Sequence, residues 1–287
     1  WQDFYQCNIL AETQEPPAPR EGIWDFDSKD NPFADYSIVY MPYCDGSTFA
    51  GDNDVFDPSF PFGPVRFHRG LRNQSAGMDL AKATFPHASR ITVAGSSAGG
   101  VGAAGFAPFL ARFLFGNTVK LTVFNDAGPV AINLADVVGI MARAADWQFG
   151  QFYPAGCTDC SDMGQGTALI KWRLANDSTI REAFYSTDFD LTNRFFMKLV
   201  PPFFPDFVLG GLIYRDLIIT EHGMINDLYP DRYKRFIQAV KFSHTALQTP
   251  LLYEATANGV PLNEWVEDFL VPRPSWTDLV EDLPPLP

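Results

Sequence analysis

The chain alternates between short β-branched or apolar runs and stretches with helical spacing of apolar positions. Residues 37–43 alternate into a buried strand, and residues 44–52, Cys-Asp-Gly-Ser-Thr-Phe-Ala-Gly-Asp, follow as a polar, glycine-punctuated loop. Residues 69–85 predict a helix, with Leu71, Met78 and Leu80 among its apolar positions and Pro86 after its end. A strand over 91–94 and a helix over 103–115, kinked at Pro108, come next. Residues 119–124 predict a strand that runs into Asn125-Asp126-Ala127-Gly128. Helices are expected over 134–147, 168–175 and 262–270, and strands over 182–187 and 240–242. The first 35 residues, with Pro16, Pro17, Pro19 and Pro32, predict loop, and 58–64 is a second irregular segment. Strands alternating with helices predict a three-layer α/β domain with a mostly parallel central sheet. No internal repeat and no linker divides it, so residues 1–287 are expected to form a single domain.

The densest chemistry lies at the end of the 91–94 strand. Gly95-Ser96-Ser97-Ala98-Gly99 fits Gly-x-Ser-x-Gly, and strand, tight turn and helix are the context of a nucleophile elbow. A serine held on a strained turn projects its oxygen, and small neighbours keep Cβ atoms from clashing there. The helix start behind it offers a backbone N–H and its dipole to a developing oxyanion. The competing interpretation is an ordinary Gly/Ser turn between a strand and a helix.

A serine nucleophile needs a base and the base an orienting carboxylate. The four histidines are His68, His87, His222 and His244. His68, beside a basic cluster, and His87, at a helix end, precede the serine and read as surface groups. The Ser–acid–His order of α/β-hydrolases favours His244, just past the 240–242 strand, with His222 second. For the acid, Asp188 and Asp190 stand at the end of the 182–187 strand, and Asp126 ends an earlier one. Spacing does not separate Asp188 from Asp190.

Composition narrows the function class. A net charge of −13 argues against nucleic acid or an anionic membrane as the partner. No apolar run reaches the roughly 18–20 residues that span a bilayer; residues 199–220 come nearest but contain Pro201, Pro202, Pro205, Asp206, Arg215 and Asp216. The cysteines are Cys7, Cys44, Cys157 and Cys160. Cys157-Thr-Asp-Cys160 has no second pair or His pair to complete a zinc site and does not open a helix after a strand, so a structural disulfide of a secreted protein is expected. Asn73-Gln-Ser75 and Asn176-Asp-Ser178 fit the glycosylation pattern. The start at Trp1, without Met or signal peptide, suggests a processed protein or a fragment.

Several blocks together resemble the pectin acetylesterase and Notum carboxylesterase family of α/β-hydrolases. They are Ile38-Val-Tyr-Met-Pro-Tyr-Cys-Asp-Gly-Ser-Thr-Phe-Ala-Gly-Asp52, Phe67-His-Arg-Gly-Leu-Arg-Asn73, the 95–100 elbow, Asp126-Ala-Gly128, the 184–196 block, and Ser243-His-Thr245 followed by Asn258-Gly-Val-Pro-Leu-Asn-Glu-Trp265. The resemblance implies a serine carboxylesterase that removes short acyl groups, acetyl first, from a polysaccharide or another oxygen ester. It selects Asp190 over Asp188, with Asn193 as an accompanying amide, and gives a catalytic Ser97, His244 and Asp190 with Ala98 in the oxyanion hole. Asp45, Gly46 and Ser47 become candidate substrate-binding residues on a loop beside the crevice. No cofactor or metal is implied, and a monomer is expected. The family's Gly-Gly-Gly-x-Cys-Trp-like segment, half of its oxyanion hole, would end at Trp1, leaving Cys7 without its family partner. The alternative function is a non-catalytic protein that holds a glycan or acyl ester on the 45–52 loop.

Overall fold

A computed structural model of the chain describes residues 21–61 and 63–284. The expected loop over the first 20 residues, and the inferences about Trp1 and Cys7, lie outside the described residues. In chain order the elements are β1 (Asn53–Phe56), β2 (Val65–His68), α1 (Gly70–Thr84), β3 (Arg90–Ser96), α2 (Ala98–Ala104), α3 (Ala107–Phe115), β4 (Lys120–Asp126), α4 (Val137–Trp147) and α5 (Thr167–Asn176). They continue with β5 (Arg181–Thr187), α6 (Leu191–Phe196), α7 (Phe207–Leu228), β6 (Tyr233–Gln238), α8 (Leu251–Glu254), β7 (Thr256–Ala257), β8 (Val260–Pro261), α9 (Leu262–Leu270) and β9 (Leu279–Val280).

Strands β3-β4-β5-β6-β9 form one parallel sheet in that order, and β1 pairs antiparallel with β2 beside it. The central strands are apolar on both faces because both faces are covered. On β5, Phe184 packs into one core with Ala103, Ala111, Leu174, Tyr214 and Ile218 from the helices α2, α3, α5 and α7. Its neighbours Ala183 and Tyr185 point the other way, into a core with Leu252, Trp265, Val266 and Phe269 from α8 and α9. The result is the expected three-layer, mostly parallel α/β arrangement.

Three local expectations are corrected. Residues 37–43 form no strand; they run half-exposed alongside β3, and a groove of about 830 Å³ lies between the two segments. The 103–115 helix is two helices bent by 47° at Gly105 and Phe106, and Pro108 sits in the first turn of α3, where its missing N–H costs nothing. The last core strand before His244 is β6, not 240–242: Val240 adopts φ 52°, a left-handed conformation that ends any ladder for a β-branched residue. The proline-rich apolar stretch opens helix α7, whose N-cap Asp206 accepts from the Leu209 N–H at 2.9 Å. Its Tyr214, Ile218, His222 and Ile225 are buried against the sheet, while Phe207, Val208, Leu209 and Ile213 in its first turns are exposed. No single helix among the described residues is long and apolar enough to cross a membrane.

A buried ion pair locks the elbow helix to the sheet. Arg173 of α5 makes a bidentate pair with Glu182 of β5, at 2.7 Å through Nε and 2.7 Å through Nη2. The same guanidinium donates to the Ala104 carbonyl at 2.8 Å and the Gly105 carbonyl at 2.9 Å, satisfying orphan acceptors at the end of α2. Arg173→Met should therefore lower stability by about 3–5 kcal/mol, since it strands a buried carboxylate. Denaturant unfolding should also show Arg173→Met/Glu182→Gln recovering part of that loss; an exposed-pair cost below about 1 kcal/mol would contradict this account.

Candidate active site

The carboxyl ends of the parallel strands meet at one edge of the sheet, and the sequence turns sharply at each. After β3, Ser97 adopts φ 59° and ψ −119°, outside the regions that L-residues favour, and α2 begins at Ala98. Glycines make this turn possible. A Cβ on Gly95 would lie 2.2 Å from the Gly99 carbonyl oxygen, and one on Gly100 would lie 2.5 Å from the Asn125 side chain. The Ser97 N–H donates to the Asp126 carbonyl at 2.8 Å, which fixes the turn against β4. Ala98 opens α2, so its N–H is one of the four that a helix leaves without an intrahelical partner.

After β5 the chain turns again at Asp190, the N-cap of α6. One carboxylate oxygen accepts the Asn193 N–H at 2.9 Å. The other lies 2.6 Å from His244 Nδ1 and 2.9 Å from Asn193 Nδ2. Asn193 Nδ2 in turn lies 2.9 Å from the Ala127 carbonyl and 3.0 Å from the Tyr214 hydroxyl, so the carboxylate is seated by a buried network. Asp190 is wholly buried, whereas His244 keeps partial access. With Nδ1 donating to the carboxylate, Nε2 is left as the acceptor; it is buried and without a hydrogen-bond partner. Asp188 turns the opposite way, to an ion pair with Arg215 of α7.

The loop that carries His244 is pinned on both sides. Thr187 Oγ1 donates to the Ser243 carbonyl at 2.5 Å. The Asp126 carboxylate accepts the Ala246 N–H at 2.9 Å and the Leu247 N–H at 3.0 Å. It also accepts the Ser96 hydroxyl at 2.5 Å, so one side chain holds the elbow and the histidine loop together.

The other histidines are elsewhere. His222, second choice as the base, is fully buried on α7, stacked on Phe184 at 3.8 Å. Its Nε2 donates to the Pro129 carbonyl at 2.6 Å and its Nδ1 accepts from the Tyr233 hydroxyl at 2.5 Å. Burial drives its pKa down to about 3, so it is a neutral structural group. His68, expected at the surface, is buried: Nδ1 donates to the Asp45 carbonyl at 3.0 Å, because the β1–β2 hairpin and the 44–51 loop close over it. His87 is exposed as expected.

These positions can be set beside known proteins. Residues 11–151 match the family model described as Pectinacetylesterase. The chain is pectinacetylesterase-like. No curated protein matches it in sequence. Among solved structures it is similar in fold to the Wnt deacylase Notum from Drosophila, with a TM-score of 0.64 at 17% identity, over 96% of this chain and 84% of that one.

Beside the elbow of this pectinacetylesterase-like chain lies a cavity of about 630 Å³. Ser97, Ala98 and Gly99 form one wall, and Phe49, Phe106, Ile132, Trp147, Phe149 and Leu169 are among its apolar lining. The candidate binding residues Asp45, Gly46 and Ser47 do not line it. All three are buried, with the Ser47 hydroxyl on the Asp45 carboxylate and accepting from the Gly51 N–H at 3.1 Å. The polar side chains hold the loop's shape, and Thr48, Phe49 and Ala50 reach the cavity instead. Sequence reasoning also missed the face of α4 that lines it: Asp136, Ile140, Arg143 and Trp147 recur at helical spacing. That spacing was legible; the surface it meets was not. Cys157 and Cys160 form the expected disulfide, just ahead of the lining residues Ser161 and Asp162. Cys44 is a free thiol, with Asn73 Nδ2 3.6 Å from its sulfur. No cluster of three His, Cys, Asp or Glu side chains able to hold a metal occurs among the described residues.

Asp126 gives the site a measurable pH signature. Burial raises its carboxyl to about 6, against the opposing pull of the Ser96 hydroxyl and the two loop amides. A group with its folded pKa above its unfolded value contributes stability at low pH and loses it as pH rises through the folded value. Between about pH 4 and about pH 6 the wild type should therefore lose about 3 kcal/mol relative to Asp126→Asn. Urea unfolding of both proteins across that window measures it, and a pH-independent difference would mean an ordinary carboxyl.

Proposed function

We propose that the chain is a carboxylic ester hydrolase in which Ser97 is the nucleophile, His244 the base and Asp190 the group that orients His244. The observation that carries this reading is the 2.6 Å contact of Asp190 with His244 Nδ1, which leaves a partnerless Nε2 on the same sheet edge as the strained Ser97 turn. The family match supports an ester substrate.

In this mechanism Ser97 Oγ attacks the ester carbonyl carbon while His244 Nε2 takes the hydroxyl proton. The buried Asp190 carboxylate stabilises the imidazolium and fixes its tautomer. Negative charge develops on the carbonyl oxygen, and the Ala98 N–H, at the open start of α2, is the donor assigned to receive it. Collapse breaks the ester C–O bond, and His244 returns the proton to the departing alkoxide. A water molecule, deprotonated by His244, then attacks the acyl-enzyme, and a second collapse frees the acid and restores Ser97.

The expected substrate is an O-acylated polysaccharide or similar ester met in a secretory compartment, where the Cys157–Cys160 disulfide is stable. Non-catalytic glycan binding by the 45–52 loop draws no support from Asp45, Gly46 and Ser47, which are buried. The cavity bears on acyl size. Its 630 Å³ falls within the roughly 300–1,000 Å³ of sites that enclose whole small ligands, so acetyl alone would leave most of it unfilled. Medium or long acyl groups fit the apolar walls better.

A fluorophosphonate probe should label Ser97 and fail on Ser97→Ala. Asp190→Asn, which permits the wrong tautomer, should cost roughly 10⁴-fold in turnover. Labelling that persists in Ser97→Ala, or an Asp190→Asn enzyme near wild type, would overturn the assignment. Across 4-nitrophenyl esters from acetyl to octanoyl, kcat/KM should rise by up to ~4-fold per methylene. A series that peaks at acetyl would assign the cavity to the alcohol portion instead.

A further inference from the structure

Two Asn-x-Ser tripeptides remain outside the chemistry described above, Asn73-Gln74-Ser75 and Asn176-Asp177-Ser178, and the fold treats them oppositely. The first lies wholly inside α1, so its backbone is helical through all three residues. Side chains two apart on a helix do not face each other, and the Asn73 amide and Ser75 hydroxyl therefore point apart. Asn73 is also half-buried: its Nδ2 lies 3.6 Å from the Cys44 sulfur, in the seam between α1 and the 44–51 loop. A sugar on that nitrogen would fill the seam and push the loop off the helix, so a chain carrying one does not reach this fold.

Asn176 is the reverse case. It is the last residue of α5 and is exposed, as is Ser178. Between them Asp177 adopts φ −128° and ψ 99°, an extended conformation that puts the side chains of 176 and 178 on the same side of the backbone. The turn is held from beneath. The Asp177 carboxylate accepts from Arg112 Nε at 2.6 Å and from the Thr179 N–H at 2.9 Å, and the Asp177 carbonyl accepts from Arg232 at 2.7 Å. The Asn176 amide donates to the Trp172 carbonyl at 2.8 Å, at the surface, and has a second N–H to offer. The tripeptide precedes β5, at the amino edge of the sheet. The seven residues of that strand separate it from the site at the carboxyl edge by about 20 Å.

We propose that Asn176 is a site of N-linked glycosylation and that Asn73 is not. This rests on the secretory reading of the chain and is independent of the esterase reading. In the transfer, Asn176 Nδ2 attacks the anomeric carbon of a lipid-diphosphate-linked oligosaccharide. The N–C bond forms as the C–O bond to the diphosphate breaks. The lipid diphosphate leaves with the bonding electrons, and the amide gives up one proton to a base. Ser178 supplies the hydroxyl that the transferase reads beside the amide. The glycan then projects from the amino edge, away from Ser97 and the cavity.

Produced through the secretory pathway of a eukaryotic cell, behind a cleavable signal sequence, the chain should run as a form that peptide-N-glycosidase shifts to lower mass. That treatment converts a glycosylated Asn to Asp, so peptide mass spectrometry should find Asp at position 176 and Asn at position 73. Asn176→Gln should abolish the shift, Asn73→Gln should leave it, and Ser178→Thr, which keeps the hydroxyl, should retain it. Should Asn176→Gln fail to be secreted, Ser178→Ala, which leaves the amide in place, should abolish the shift in its stead. No shift in the wild type overturns the proposal, as does a shift that survives Asn176→Gln or Asp found at position 73. Glycosidase treatment of the folded protein should leave the rate of fluorophosphonate labelling at Ser97 unchanged, and a changed rate would contradict a glycan at the far edge. If the wild type does not label at all, the esterase reading fails, and the mapped asparagine still decides this proposal.

Discussion

The Asp126 carboxylate is the point at which two distant parts of the chain become one site. It ends β4, accepts the Ser96 hydroxyl from the neighbouring strand end, and accepts two amides from a loop 120 and 121 residues further on. Parallel register makes this possible: Ser96 is paired with Asp126, and Asp126 with Tyr185, so β3 and β4 finish level and β5 ends two residues beyond them. Each then turns at its own device, the strained serine of β3, the carboxylate of β4 and the N-cap aspartate that follows β5. A buried acid with a raised pKa is a costly way to join them. What it gives in return is direction, because three donors converge on one carboxylate, and a hydrocarbon of the same volume would fix none of them.

The rest of the polar interior follows the same logic. Asn193 and Tyr214 seat Asp190 from behind. His222 is held neutral between a carbonyl and a hydroxyl, serving α7 packing. Arg173 closes the free end of the elbow helix. In every case a side chain satisfies backbone groups that a turn or helix end leaves open, at places where the sheet edge excludes water. Hydrogen bonds of this kind are concentrated around Asp190 and His244, while the cavity wall is built from α4, the 44–51 loop and the segment after the disulfide.

Much of this was legible in the sequence where local chemistry and local structure coincide. The elbow announces itself through small residues that a tight turn requires, and the β-branched run before it is a strand in any context. Helix α9 came out to the residue because its apolar stripe is strong and its ends are marked. The failures share a physical cause. Strand β6 carries Lys234 and Arg235 and does not look like a core strand, yet Arg235 is neutralised by Asp278 at 2.6 Å, a residue far along the chain. Residues 240–242 have strand composition, but the left-handed Val240 diverts them towards the histidine loop. Residues 37–43 alternate properly and still form no ladder, since a strand exists only where a partner lies within reach.

The same limit governs the site residues. Periodicity places Asp188 and Asp190 on one strand end and cannot say that one meets α7 and the other His244. That is decided by the turn at Asp190, whose own side chain caps the helix that follows. The 45–47 loop shows the converse error. Polar side chains in a glycine-rich loop beside a crevice suggest ligand contacts, but a loop that short must satisfy its own amides first, and Asp45 and Ser47 are spent on that. Their neighbour Phe49, which a reader of the sequence would assign to the core, is left to face the cavity. Arg143 completes the pattern from the other direction: on an apolar helix face it reads as an ordinary solvated charge, and only the fold reveals that the space in front of it is the cavity beside the elbow.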